Sequence, residues 1–230
     1  MRLLLFLLLF SLSLPITTTF AQAQPAAPQV QQTSCINIPA TPNYLNSGRP
    51  TDAIAAINHA HQQEHIHALQ LPGKFYQLSP VQQQFILVNA ERVDRGLHPL
   101  LLDTILSQIA QSYALQMTTQ HFFNHTSPTG VTFVQRINSN PAVRNHYSTA
   151  AENLAGNPVG GVGPIYEYMY DDAREGCGHQ VNILTPQLTH IGIGEVVSNT
   201  YGTISVQDFI ASAPWSPYQG SSQANSETAH

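Results

Sequence analysis

Charged side chains are scarce in this chain of 230 residues, of which 9% are Asp, Glu, Lys or Arg. Lys and Arg together number 8, with a single lysine at Lys74, and the formal net charge is -5. Binding to a nucleic acid or to an anionic membrane surface depends on clusters of basic side chains that neutralise phosphates. The composition therefore gives neither class of partner electrostatic support, and we expect no nucleic acid to bind.

Long hydrophobic runs are missing after the first two dozen residues. The run at the start follows a positive residue, Arg2, and is too short to span a bilayer; it reads LLLFLLLFSLSLP. A small-x-small sequence at 21–23 completes the pattern of a secretory signal peptide over residues 1–23. An uncleaved anchor is the alternative, and Pro15 interrupts the run that it would need. We expect a secreted protein, extracellular or periplasmic, that does not span the membrane.

Cysteine is also rare, with Cys35 and Cys177 as its two occurrences. In the oxidising conditions that follow export, two cysteines can pair. A disulfide between them would close a loop of roughly 140 residues, for which chain entropy gives an upper stabilisation of about 4–5 kcal/mol. Two unrelated buried thiols are the alternative. We predict the intramolecular disulfide, which would tie an N-terminal arm to the rest of the chain.

Histidine, by contrast, is abundant, with 11 in the chain. Four lie in a segment of helical apolar spacing at 51–70, where His61 and His65 are four residues apart and share a helix face. A pair of histidines without a third ligand is weak evidence for a metal, so structural or solvated roles are favoured. After the signal peptide we divide the chain into an N-terminal arm with this His-rich helix (24–78), one domain (79–212) and a flexible tail (213–230).

Local signals predict helices in the first part of the domain and strands at its end. Ser79 before Pro80 marks the start of one helix, and Asp103 marks the start of a second. Towards the end the apolar period becomes alternating, in IGIGEVV and GTISVQDF, and the turn between them indicates a β-hairpin. Helices followed by strands predict an α+β fold in which helices pack on a sheet.

Several segments with chemistry-bearing residues follow one another along the domain: FFNHTSPTG, AENLAG, YMYDD, and GHQVNILTP with THIGIGEV after it. Taken together, over about residues 80–210, they resemble the CAP superfamily of cysteine-rich secretory, antigen 5 and pathogenesis-related proteins, also called SCP domains, in its secreted bacterial form. The resemblance implies a three-layer α-β-α sandwich around an antiparallel sheet. It also implies a large cleft that holds two histidines and two acidic residues.

The resemblance assigns the cleft residues motif by motif. His125 and His179 match the two imidazoles, and Glu152 matches the first carboxylate. In the family the second carboxylate follows a tryptophan by three residues. Tyr168 stands in the place of that tryptophan here, and Asp171 falls at the matching acidic position.

Some alternatives stay open around this assignment. Asp172 competes with Asp171 for the second acidic position. His121, at the end of a helix, and His190, before a strand, are weaker candidates for the rim of the cleft.

Two imidazoles with one or two carboxylates form a ligand set for a divalent cation, with zinc as the first choice. The resemblance therefore implies a metal site of His125, Glu152, Asp171 and His179, beside a cleft for an unknown extracellular ligand, a small molecule or a lipid such as a sterol. On this interpretation the protein binds and does not catalyse. A metal-dependent extracellular hydrolase, peptidase- or esterase-like with Glu152 as acid and base, is the alternative. A structural envelope protein without a metal is a third.

Overall fold

The computed structural model describes residues 35–216, 218 and 220. The predicted signal peptide (1–23) lies outside these residues, as does most of the predicted tail (213–230). Within the described part, no helix combines the length and the apolar character needed to cross a membrane. The helices are α1 (Tyr44–Ser47), α2 (Pro50–Gln63), α3 (Pro80–Val93), α4 (Thr104–Gln120), α5 (Phe133–Asn138), α6 (Gly163–Tyr170) and α7 (Gly178–Leu184), and the strands are β1 (Leu101–Leu102), β2 (Tyr147–Asn157), β3 (His190–Ser198) and β4 (Gly202–Ser212).

The four strands form one sheet in the order β1-β3-β4-β2. Strands β3 and β4 make an antiparallel hairpin, as the alternating apolar pattern predicts. Strand β4 also pairs antiparallel with β2 along almost its whole length. The two residues of β1 add a short parallel pair beside β3. The sheet is therefore antiparallel except at this one edge.

The two long helices of the domain begin where the sequence indicates. Ser79 forms a capping box with Gln82, and Pro80 is the first residue of α3. Asp103 accepts a hydrogen bond from the backbone N–H of Leu106 at 2.8 Å and so caps α4. Each cap satisfies a backbone donor that the helix itself leaves without a partner.

Helices cover both faces of the sheet. On one face α4 lies directly on β3, because Gly192 and Gly194 present no side chain there; a Cβ atom at Gly192 would overlap with the backbone of Leu106. On the other face, Ile191 and Ile193 pack with residues of α3 and α6 in a large apolar core. Alternate residues of β3 thus serve two layers of helices, which produces the predicted α+β, three-layer α-β-α arrangement.

The predicted disulfide is present. Cys35 and Cys177 are bonded, and their Cα atoms lie 5.6 Å apart. Nearby, the backbone N–H of Ile38 donates to the carbonyl oxygen of Tyr170 at 3.0 Å. The arm is therefore fastened to the domain beside the end of α6 and the start of α7.

The His-rich helix ends earlier than its apolar spacing over 51–70 predicts. It stops at Gln63, and His65 adopts a left-handed conformation with φ 61°. The ring of His61 is fully buried, with Nε2 at 3.1 Å from the carboxylate of Glu91. Tertiary contacts of this buried ring override the local helical preference. His61 has a structural role, in agreement with the favoured interpretation.

Candidate functional site

A cleft of about 460 Å³ is lined by the loop after α4, by β2, and by the segments at the end of α6 and the start of α7. Three of the predicted site residues line it, namely His125, Asp171 and His179. A smaller cavity of about 150 Å³ is lined by His125, Glu152, Glu175, Gly178, His179 and Asn182. The two histidines, which are 54 positions apart in the sequence, therefore face common space.

The loop that carries His125 begins where α4 ends. His121 closes the helix in a left-handed conformation with φ 55° and is exposed. The hydroxyl of Tyr113 donates to the carbonyl oxygen of Asn124 at 2.5 Å, and Arg136 donates to the carbonyl oxygen of His125 at 3.0 Å. These bonds hold the loop against α4 and α5, and His121 acts as a helix terminus.

Glu152 projects from β2 and links His125 to Arg136. Its side chain is fully buried, and Oε1 lies 2.8 Å from Nδ1 of His125. Oε2 accepts a hydrogen bond from Arg136. The guanidinium of Arg136 also stacks 3.2 Å above the ring centroid of Tyr113. Because a carboxylate only accepts hydrogen bonds, Nδ1 of His125 carries a proton, and in the neutral ring the lone pair is then on Nε2.

The second histidine is held by Asp172. Oδ1 of Asp172 lies 2.6 Å from Nδ1 of His179, and Oδ2 accepts the backbone N–H of Gln180 at 3.0 Å. Asp172 is buried, whereas Asp171 is exposed on the wall of the cleft. The ring of Tyr168 lies 5.0 Å from that of His179. Of the two neighbouring aspartates, Asp172 therefore orients the imidazole, and a ligand role for Asp171 stays a prediction.

The other rim candidate, His190, lies in β3 inside a packed region. Its ring is buried against Tyr218, with centroids 5.2 Å apart, and Nδ1 is 2.8 Å from the hydroxyl of Thr189. Burial lowers the pKa of His190, which favours the neutral ring. These contacts give His190 a place in the core.

Two carboxyl groups that sequence reasoning missed lie beside the predicted ones. Burial raises the pKa of Glu167, which lines the cleft, to about 7. Burial, and after it the charge of Glu152, raises the pKa of Asp208 well above its usual value. Asp208 is the direct cross-strand partner of Glu152. The signal that could have found them is an acidic residue within an apolar stretch, in IYEYMY and in VQDFIA.

Whether a metal ion fits the cleft depends on the contacts that the four predicted ligands already make. Within the described part of the chain, no group of three or more His, Cys, Asp or Glu side chains is placed to hold one metal ion. Glu152 and Asp172 instead engage Nδ1 of the two histidines. A carboxylate on one ring nitrogen is the usual partner of a histidine that ligates through the other. The imidazoles of His125 and His179 therefore fit a cation as ligands, and these carboxylates fit as the groups that orient them.

The sequence and the fold of this chain are similar to those of known proteins. Over 124 residues the chain is 36% identical to the uncharacterized protein YkwD of Bacillus subtilis (strain 168). The aligned region covers 54% of this chain and 44% of that relative. Among solved structures, an extracellular protein containing a SCP domain from Bacillus anthracis str. Ames aligns at 27% identity with a TM-score of 0.49, over 63% of this chain and 45% of that one. An outer surface protein from Borrelia burgdorferi aligns at 18% identity with a TM-score of 0.49, over 58% of this chain and 93% of that one. The chain thus matches less than half of the length of the Bacillus relatives.

The model of the cysteine-rich secretory protein family, CAP, matches residues 85–209. This range is more than half of the chain, and it contains both imidazoles of the cleft and the carboxylates that hold them. The chain therefore belongs to the cysteine-rich secretory protein (CAP) family.

Proposed function

We propose that this CAP protein is exported and binds a divalent cation, with zinc as the first choice, between His125 and His179. The observation that carries the proposal is that both imidazoles line one cavity of about 150 Å³ while each Nδ1 is held by a carboxylate. That pattern fixes the tautomer with the lone pair on Nε2, the atom that a cation would take. Glu152 and Asp172 act as the orienting groups.

Cation binding by this site also agrees with the charges around it. The cleft wall carries Glu167, Asp171 and Glu175 in addition to Asp172. Neutral imidazole nitrogens are good ligands for zinc and similar borderline cations, and nearby carboxylates favour a positive guest electrostatically. A bound cation would supply a Lewis-acidic centre to which a ligand in the cleft could attach.

We propose a binding function for the cleft, without catalysis. Glu152, the acid and base of the hydrolase alternative, is buried and occupied by His125 and Arg136. A group held between two donors acts as an acceptor and does not readily move a proton. Phe123, Leu154 and Tyr168 add an apolar wall to the cleft of about 460 Å³. Such a wall suits a small molecule or a lipid with an apolar part.

Export is supported by two features of the chain. The first 23 residues have the pattern of a secretory signal peptide. The Cys35–Cys177 disulfide is of a kind that persists in oxidising compartments. We therefore place the working protein in the periplasm or outside the cell.

Titration of the chelator-treated protein with zinc, followed by calorimetry at about pH 7.5, tests the proposal. We expect the wild type to bind zinc and the His125→Ala and His179→Ala variants to lose at least about tenfold in affinity. His121→Ala, at an exposed histidine near the same loop, is the matched control and should keep the wild-type Kd. Affinity should also fall as the pH is lowered, because protons compete with the cation for the imidazole nitrogens. A wild type that takes up no zinc, or an affinity that is flat between about pH 8 and pH 5, would overturn the proposal.

A further inference from the structure

Asn182 is a further polar residue of the small cavity. It lies on α7 three residues after His179, so the two side chains share a face of the helix. It lines the cavity of about 150 Å³ together with His125 and His179. An amide side chain in this place can offer the cavity either its N–H groups or its oxygen, and the hydrogen bonds decide which.

Both N–H groups of Asn182 are committed to β2. Nδ2 lies 2.8 Å from Oδ1 of Asn153 and 3.3 Å from the backbone carbonyl oxygen of Glu152. A backbone carbonyl accepts only, so the nitrogen of Asn182 has to face it. With its two donors used on β2, the polar atom that Asn182 can present to the cavity is the carbonyl oxygen, Oδ1.

The partner amide cannot turn round to release these donors. Nδ2 of Asn153 donates to the backbone carbonyl oxygen of His179 at 3.3 Å and to Oε1 of Gln207 at 3.2 Å. Gln207 in turn donates to Gln84, and Gln84 donates to the carboxylate of Glu195 at 2.5 Å. Every amide nitrogen in this buried chain thus donates to an acceptor. The oxygen of Asn153 is left to receive Asn182, and the chain fixes the direction of every amide in it.

We infer that Oδ1 of Asn182 is a third protein donor, beside His125 and His179, for the divalent cation of the cleft. The inference rests on the proposed function. It adds an amide oxygen, which is a different type of ligand from the imidazoles and carboxylates that the sequence predicts. An amide oxygen is a neutral ligand that accepts hard and borderline cations. Two imidazoles with one amide oxygen suit zinc or manganese better than a thiophilic ion such as Cu(I).

Zinc titration of Asn182→Leu by calorimetry tests the inference directly. Leu keeps the branched arrangement of side-chain heavy atoms and removes the oxygen, so we expect the zinc Kd to rise at least about tenfold, the low end of what is seen when a group supporting a metal site is removed. Asn182→Asp keeps an oxygen and adds a negative charge, so its zinc Kd should equal the wild-type value or be lower. Asn199→Leu, the same exchange at an exposed residue of the turn between β3 and β4, is the control and should leave the Kd unchanged.

The outcomes separate this inference from the proposed function. If the wild type binds zinc and Asn182→Leu binds it equally well, the role of Asn182 is overturned and the imidazole site stands. If Asn199→Leu weakens binding as much as Asn182→Leu does, the loss is not specific to the oxygen of Asn182, which also overturns it. A wild type that binds no zinc overturns both. Should Asn182→Leu fail to fold by circular dichroism, Asn182→Ala takes its place: a tenfold weaker Kd supports the inference, and an unchanged Kd overturns it.

Discussion

The imidazole of His61 lies 3.1 Å from the carboxylate of Glu91, and both side chains are completely buried. Nδ1 of the same ring lies 2.6 Å from the backbone carbonyl oxygen of His67. A carbonyl oxygen and a carboxylate both only accept hydrogen bonds, so the two ring nitrogens both carry protons and His61 is an imidazolium. Arg95 and Tyr170 donate to the second oxygen of Glu91 at 2.6 and 2.8 Å. A buried ion pair therefore joins α2 of the arm to α3 of the domain.

This pair makes stability depend on pH. Burial acts against the charge of His61, but the hydrogen bond and the charge of Glu91 outweigh it, and the pKa of His61 is raised. Asp94, with Oδ2 at 3.9 Å, also favours the charged ring, and Arg95 opposes it. A raised pKa contributes stability that is fully present below the unfolded value of about 6.5 and is lost as pH rises through the folded pKa.

We therefore expect His61→Gln to reduce the free energy of unfolding most at about pH 6. The reduction should be roughly 3 kcal/mol, at the lower end for breaking a buried ion pair, because Glu91 keeps its other hydrogen-bond donors. The cost should shrink towards about pH 9 as the wild type loses the charge. Urea unfolding of both proteins at a series of pH values measures the difference. His59→Gln, at a half-buried position of the same helix, is the control. A cost that does not change with pH would show that His61 is not charged.

Asp208 also makes the free energy of unfolding depend on pH, in this case through a buried carboxyl group. Its carboxyl group is 1% exposed, and burial together with the charge of Glu152 raises its pKa well above the usual value. Between the unfolded pKa of about 3.9 and the raised folded pKa, the folded protein holds a proton that the unfolded chain releases, so stability falls as pH rises through that range. Each unit of pKa difference corresponds to about 1.4 kcal/mol.

Asp208→Asn removes this titration, because the amide is neutral at every pH. The free energy of unfolding of the variant minus that of the wild type should therefore increase from about pH 4 to about pH 7. Urea unfolding of both proteins at the two pH values measures this difference. Asp171→Asn, the same exchange at an exposed position, should show a much smaller change in this difference. If Asp208→Asn loses stability relative to the wild type over that range, Asp208 is ionised in the folded protein.

The two neighbouring aspartates can be separated by zinc affinity. Asp172 holds Nδ1 of His179 at 2.6 Å, so Asp172→Asn should weaken zinc binding by roughly 10- to 100-fold, the usual effect of removing a group that orients a metal-binding histidine. Asp171→Asn should leave the Kd nearly unchanged. Calorimetry on the two variants compares them directly, with circular dichroism to check that both are folded. A larger loss for Asp171→Asn would make Asp171 a ligand, as the family motif predicts.

The different positions of Asp171 and Asp172 could not be predicted from the sequence alone. The caps at Ser79 and Asp103 and the hairpin are local features, because the residues that make them are neighbours in the chain. Asp171 and Asp172 are also neighbours, yet they face different surroundings, since α6 ends at Tyr170 and the chain turns there. Motif spacing selects Asp171, and the three-dimensional path of the backbone brings Asp172 to the histidine.

The groups around Glu152 show the same limit at longer range. The AENLAG motif identifies Glu152, but its buried partners come from other elements: Arg136 from α5 and Asp208 from β4. The pairing of β2 with β4 joins residues that are 46 to 65 positions apart, and nothing local in either segment specifies it. The same holds for Asn182, whose amide direction follows from hydrogen bonds across four elements. Sequence reasoning names the histidines of the site, and only tertiary contacts reveal what orients them.

The disulfide should account for a large part of the stability of the arm. Cys35 and Cys177 are separated by 142 positions, so their bond restricts the unfolded chain strongly. Cys35→Ser should lower the free energy of unfolding by up to about 4–5 kcal/mol, with the upper figure coming from chain entropy alone. Unfolding of the wild type in urea with and without a reductant should show the same loss, whereas reductant should not change Cys35→Ser. A wild type that unfolds at the same urea concentration in both conditions would mean that the contacts of the arm, such as the bond from Ile38 to Tyr170, hold it in place without the disulfide.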